Sequence, residues 1–110
     1  MKPYVIRNKE FVDFFGKLSP YKKQKLIPVL SKDQVNTISE ICKNFLKRNL
    51  TEDPKVIKKL RRTQKEIKTI SLKTVPLYKK KNILQTRKGG SILSVLLPLA
   101  ASVITSLLTR

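Results

Sequence analysis

Residues 91–109 are SILSVLLPLAASVITSLLT, a run of 19 residues without a charged side chain. A helix needs about 20 apolar residues to cross the roughly 30 Å hydrocarbon core of a bilayer, so this run is just long enough. At about 100° per residue, its polar residues and its proline fall on one narrow strip of the helix, and large apolar side chains cover most of the rest. What covers that apolar surface decides the fold. The strip, called the Ser/Thr stripe below, comprises Ser94, Pro98, Ser102, Thr105, Ser106 and Thr109.

Three interpretations of this segment are open. A spanning helix would use the Ser/Thr stripe for hydrogen bonds to neighbouring helices. An interfacial helix would bury its apolar side in lipid, with the bases of residues 79–88 on anionic headgroups. A core helix would pack against the rest of the chain. Because a soluble core helix rarely lacks every charge over this length, we expect residues 91–110 to interact with a membrane. The side chains expected to contact it are Ile92, Leu93, Leu96, Leu97, Leu99, Val103, Ile104, Leu107 and Leu108.

The charge of the chain indicates an anionic partner. Its 110 residues include 25 Lys plus Arg, 7 Asp plus Glu and no His, which gives a net charge of +18. All of these bases except Arg110 precede Ser91, so residues 1–90 carry +17. Such an excess favours binding to nucleic acid or to an acidic membrane surface. With no His and a single Cys, the sequence offers no Ser-His-Asp or Cys-His pair, no His metal site and no intrachain disulfide. We therefore expect a protein that is not an enzyme, with no cofactor and no small-molecule substrate.

The first half of the chain predicts three short helices. Asn8 is placed to cap a helix with one apolar face, which Gly16 and Ser19-Pro20 end. Ser19 and Pro20 begin a second helix, which extends to about residue 30 and is bent by Pro28. Ser31 and Gln34 have the spacing of a capping box and open a third helix over about 32–48. Cys42 lies on the apolar face of that helix, where we expect it to be a small buried hydrophobe. A helix-turn-helix arrangement of residues 8–48 is a further alternative.

A fourth helix, over about 53–70, carries the most informative charge pattern. Asp53 is a natural N-cap and Pro54 suits the first helical position. Seven bases fall within one half of the cylinder and the apolar residues within the other, while Glu66 is the one acid that follows the N-cap Asp53 in this segment. A face that merely contacts solvent would mix both signs of charge, so this one indicates an anion-binding surface. This set, called the basic face below, comprises Lys55, Lys58, Lys59, Arg61, Arg62, Lys65 and Lys68.

Two further basic clusters flank a short helix predicted over 74–86. They are Lys79, Lys80 and Lys81, and then Arg87 and Lys88. We include both in the expected DNA- or anion-binding set. The chain has no zinc-finger spacing, no basic region joined to heptads and no RNP motif. If the anion is DNA, we expect contacts to its backbone without sequence preference.

Gly89 and Gly90 stand where the composition changes from basic to apolar, which is typical of a flexible joint. The predicted fold is all-α: a small helical bundle with a basic amphipathic helix and a C-terminal hydrophobic helix. Its parts are a helical unit over 1–50, a basic helical segment with a linker over 51–90, and the hydrophobic helix over 91–110.

The sequence around this pair resembles a known family. Residues 87–101, RKGGSILSVLLPLAA, are similar to the C-terminal part of adenovirus core protein X (mu) precursors, and the layout of the whole chain resembles the small basic core proteins of adintoviruses and Polinton (Maverick) elements. The resemblance implies a structural protein of the virion core that binds packaged DNA, in the virion or the host nucleus. It also implies cleavage at Gly89-Gly90 by a viral maturation protease, which would separate a basic domain from a membrane-active peptide. The alternative is a membrane-active or tail-anchored intracellular protein whose bases bind anionic lipid headgroups.

Overall fold

The described part of the chain is built from helices, and those over residues 9–48 begin and end close to the predicted positions. The structure, a computed structural model, describes residues 2–48 and 53–109. Within these ranges every regular element is helical, so the prediction of an all-α fold is confirmed. The predicted boundary between 50 and 51 lies outside the described residues. The elements are α1 (Pro3–Arg7), α2 (Lys9–Lys17), α3 (Pro20–Leu26) with a 3-10 turn (Ile27–Val29), α4 (Lys32–Arg48), α5 (Pro54–Arg61), α6 (Gln64–Ser71), α7 (Leu77–Leu84) and α8 (Arg87–Leu108).

The capping signals explain most of these boundaries. The Ser31 backbone N–H donates to Gln34 Oε1 at 2.9 Å and the Gln34 N–H donates to Ser31 Oγ at 3.1 Å, which is a complete capping box. The Ser19 and Asp53 side chains likewise accept bonds from the first turns of α3 and α5. Asn8 stands at the start of α2 but its side chain accepts no cap bond, and its Nδ2 donates instead to the Tyr4 carbonyl and to Asp33 Oδ2. The expectation that Asn8 caps α2 through its side chain is therefore wrong.

The predicted helix over 53–70 is interrupted at Arg62 and Thr63. The Thr63 N–H bonds to the Leu60 carbonyl at 3.0 Å, and its hydroxyl donates to the same carbonyl at 3.0 Å. A β-branched residue whose hydroxyl competes for the local backbone weakens a helix at such a point. Two helices of eight residues each, α5 and α6, replace the single helix.

The core of the protein is assembled around α8. This helix packs against α2, α3, α4 and α7, and its buried side chains belong to one continuous cluster with those of the other helices. Gly16 lies within α2 rather than ending it, and a Cβ there would come to 3.2 Å from Leu97 Cβ, so glycine permits the close approach of α2 and α8. The apolar residues that α8 contributes are Ile92, Leu93, Leu96, Leu97, Ala100 and Ile104.

Candidate nucleic-acid interface

The seven bases of the basic face are all exposed, even though the helix that was predicted to carry them is interrupted. Leu60, Thr63, Ile67 and Ile70 are buried on the opposite side of α5 and α6. The interruption at Arg62 and Thr63 therefore does not mix the charged and the apolar surfaces. The predicted separation of charged from apolar side chains is confirmed.

Glu66 joins the basic face to the start of α8. Its Oε1 lies 3.3 Å from Lys88 Nζ, and the carboxylate side chain is largely buried whereas the lysine side chain is 64% exposed. Glu66 is thus neutralised by a base from a different helix. The same contact brings Lys88, and with it the first turn of α8, beside α6. Two of the basic clusters, separated by about twenty residues in sequence, form one surface.

The three lysines of the cluster over 79–81 differ in their exposure to solvent. Lys79 is exposed, but Lys80 is only 5% exposed and its Nζ donates to Ser39 Oγ at 2.9 Å. Lys81 is partly buried, and its Nζ donates to the Pro28 carbonyl at 2.9 Å. The prediction that Lys80 contacts DNA is wrong for this fold. The sequence spacing indicates this burial, because Leu77, Lys80 and Leu84 follow at i, i+3 and i+7 and so lie on one face of α7.

The interior around Lys80 also contains Cys42. This cysteine is 0% exposed, so the prediction that it serves as a buried hydrophobe is confirmed. Burial raises the pKa of the Cys42 thiol to about 12, although the nearby Lys80 ammonium acts in the opposite direction. Burial also lowers the pKa of Lys80. A thiol with so high a pKa forms almost no thiolate at neutral pH, which makes it a poor nucleophile.

The C-terminal helix uses most of its apolar surface inside the protein. Of the nine side chains expected to contact a membrane, five are buried in the core: Ile92, Leu93, Leu96, Leu97 and Ile104. Leu99, Val103 and Leu107 are partly buried, and Leu108 is exposed. Every member of the Ser/Thr stripe is exposed. Of the three interpretations of this segment, the core helix is the arrangement present in this structure, so those five residues do not face lipid in it.

By length and composition alone, α8 could still cross a bilayer. It is the one helix in the described ranges that meets this criterion, which a core helix of a soluble protein also meets. The criterion therefore does not assign a membrane role to the helix.

Gly89 and Gly90 lie inside the first turns of α8. The Gly89 N–H donates to Thr86 Oγ1 at 3.1 Å, and Gly89 is buried against α7. A Cβ on Gly89 would lie 2.1 Å from the Ile83 carbonyl oxygen. The prediction of a flexible joint at this pair is wrong, because α8 begins at Arg87 and includes both glycines. Cleavage between them stays a prediction.

A second group of bases lines a pocket between α1, α4, the segment joining α6 to α7 and the start of α7, and sequence reasoning identified only Lys80 among its members. The sequence offered no signal for it because its members are distributed over more than seventy residues. The cationic residues of this group, called the basic pocket below, are Lys2, Arg7, Lys32, Lys43, Lys73 and Lys80.

Comparison of the chain with protein-family models, curated proteins and solved structures gives no match. Function must therefore be argued from the chemistry of these surfaces.

Proposed function

We propose that this protein is a non-enzymatic DNA-binding protein that contacts the phosphate backbone of duplex DNA without sequence preference. Its binding surface is the basic face together with Arg87 and Lys88. The observation that carries the proposal is that nine exposed bases lie on this surface, while the one acid within α5 and α6, Glu66, is already paired with Lys88. A surface of that kind has an unbalanced positive charge available to an extended anion.

The side chains of this surface suit backbone contacts better than base recognition. Five of the seven bases on the basic face are lysines, which act as compact point charges and lack the planar fork that reads guanine edges. The two helices that carry them are short, with eight residues each. Each neutralised phosphate releases counterions, so about six contacts would give a slope of log K against log salt of about −5.

A charge-matched pair of variants tests this proposal. In the first, Lys58→Gln, Arg61→Gln and Lys65→Gln remove three bases from the basic face. In the control, Lys17→Gln, Lys22→Gln and Lys25→Gln remove three exposed bases from α2 and α3. Fluorescence anisotropy with a labelled duplex, over a series of salt concentrations, gives the affinity and the slope for each protein.

In the first variant, we expect the slope of log K against log salt to be smaller in magnitude by about three. The control should keep a slope close to that of the wild type. Duplexes of unrelated sequence should bind alike. Equal losses in the two variants would mean that net charge alone attracts the DNA, and the basic face would then have no special role.

The resemblance to viral core proteins described above suggests where the protein acts. The protein would be a core component of a virus or a virus-derived element, located in the virion or the host nucleus. A maturation protease acting at Gly89-Gly90 would be a further partner. These assignments rest on the resemblance and on the basic surface together.

The second candidate function is binding to anionic membranes, favoured by the length and apolar composition of α8. In this case the helix would have to leave the core, and the bases would contact lipid headgroups. Flotation of the full chain with phosphatidylcholine vesicles, with and without phosphatidylserine, separates the candidates. Flotation with the anionic vesicles, combined with no salt-dependent DNA binding, would replace the first proposal by the second.

A further inference from the structure

The basic pocket is a concave site that shares no residue with the proposed DNA surface. Its volume is about 740 Å³, within the range of small-molecule sites. Six cationic side chains and two carboxylates line it, which leaves an excess of four positive charges. The lining comes from α1, from one side of α4, from the segment between α6 and α7 and from the first turn of α7, so the pocket exists only in the folded chain.

Both carboxylates of the pocket already have partners. Asp33 Oδ2 accepts a hydrogen bond of 3.0 Å from Asn8 Nδ2. Glu40 Oε2 accepts a bond of 3.3 Å from the Tyr4 hydroxyl and lies 4.0 Å from Lys2 Nζ. Burial and the Glu40 charge raise the pKa of Tyr4 to about 12, so Tyr4 keeps its proton and remains a donor. The acids therefore do not neutralise the four bases Arg7, Lys32, Lys43 and Lys73 through any ion pair among the described residues.

Lys80 supplies a buried cation at this site. Its ammonium group has three donors, and in the described residues the one acceptor bonded to it is Ser39 Oγ. Removal from water lowers the pKa of Lys80, which means that its charged form is short of stabilising partners. An anion in the pocket would provide the missing acceptors and the opposite charge.

We propose that the basic pocket binds a compact polyphosphate, a small molecule that carries several phosphate groups close together. The multiple charges of such a ligand match an excess of four, and the ligand fits a cavity of this volume. Duplex DNA does not fit, because a double helix is far larger than a cavity of this volume. The proposal does not depend on DNA binding by the basic face.

Isothermal titration calorimetry on the full chain, at physiological salt, tests the proposal with two probes, inorganic tripolyphosphate and inositol hexakisphosphate. The pocket variant is Lys43→Gln with Lys73→Gln, which removes two bases that are not buried. The control, Lys58→Gln with Lys59→Gln, removes the same charge from the basic face. If circular dichroism shows that this first pocket variant does not fold, a second pocket variant, Arg7→Gln with Lys32→Gln, is used in its place.

We expect saturable binding of at least one probe, with about one ligand per chain. The pocket variant should weaken it by about 100-fold, since two charge-assisted contacts are lost, and the control should change it by less than about threefold. Binding of the linear or the cyclic probe alone would define the shape of the ligand within the same class. Absence of saturable binding, or equal weakening in the pocket variant and the control, would overturn the proposal.

Discussion

At the scale of single residues, Gly89 and Gly90 show how adjacent identical residues acquire different roles. Both belong to the first turns of α8, so neither forms a joint. A Cβ at Gly89 would collide with backbone atoms of α7, at 2.1 Å from the Ile83 oxygen and 2.5 Å from Leu84 Cα. A Cβ at Gly90 would meet nothing within 4 Å. Glycine is therefore required at position 89 for close packing and is replaceable at position 90.

Alanine substitutions at the two positions should have opposite effects. Gly89→Ala forces α7 and α8 apart and should lower the free energy of unfolding by about 2 kcal/mol or more. Gly90→Ala should raise it by about 0.5 to 1 kcal/mol, because alanine loses less backbone entropy in a helix. Urea denaturation monitored by circular dichroism measures both. Similar effects at the two positions would contradict the packing described for Gly89.

The buried thiol of Cys42 leads to a prediction about how stability depends on pH. Burial raises the pKa of its thiol from 9.0 to about 12. Between these values the unfolded chain loses the thiol proton first and binds fewer protons than the folded chain, so the contribution of the thiol to stability falls as pH rises above 9.0. Cys42→Ala should lower the free energy of unfolding by about 1 kcal/mol at neutral pH, and this decrease should be smaller at pH 10.5.

Because Tyr4, with a pKa raised to about 12, also titrates in the alkaline range, the comparison between wild type and Cys42→Ala isolates the thiol. Urea denaturation at the two pH values provides the measurement. A cost that is the same at both would show that the pKa of Cys42 is not raised in the folded chain.

At the scale of helices, α7 shows why a cluster of lysines cannot be treated as one surface. Its register places Lys80 on the same side as Leu84, while Lys79 points to solvent. The periodicity of a helix assigns each lysine to a side, but only the packing of α7 against α4 makes one of those sides an interior. The same reasoning applied to α5 and α6 keeps all seven bases outside.

Replacing Lys80 by methionine tests the cost of this buried charge. Lys80→Met keeps a similar volume and removes an ammonium group with a single protein acceptor, so we expect the free energy of unfolding to rise by about 1 kcal/mol. Lys79→Met, at the exposed neighbour, should change it by less than about 0.5 kcal/mol. Thermal and urea denaturation provide the measurement. A strong loss of stability in Lys80→Met would mean that the bond to Ser39 outweighs the desolvation of the charge.

At the scale of the whole molecule, the basic and apolar parts of the chain are not independent units. Five large side chains of α8 are buried in the core. Burial of each adds about 1.5 to 3 kcal/mol to the free energy of unfolding, so the five together add about 7 to 15 kcal/mol. A domain of this size has a total stability of about 5 to 15 kcal/mol. Cleavage at Gly89-Gly90 would therefore remove the centre of the fold rather than release an intact basic domain.

A chain of residues 1–90 should accordingly fail to fold. We expect it to lose the cooperative thermal transition of the full chain and to show less helix by circular dichroism. Limited proteolysis of both chains gives an independent readout, since the truncated chain should be digested much faster. A cooperative transition in residues 1–90 would show that the core of α1 to α7 is sufficient alone.

Properties that depend on neighbouring residues can be predicted from the amino-acid sequence. The capping box at Ser31 and Gln34, the common direction of the bases on the basic face and the position of the Ser/Thr stripe on one side of α8 all follow from helix periodicity and local hydrogen bonds, which act within a few residues. What covers the apolar side of α8 depends on tertiary packing, because a periodic pattern specifies an apolar side and not its partner. Tertiary packing also decided the burial of Lys80, the tight packing at Gly89 and the assembly of the basic pocket, since each of these depends on contacts between helices distant in sequence.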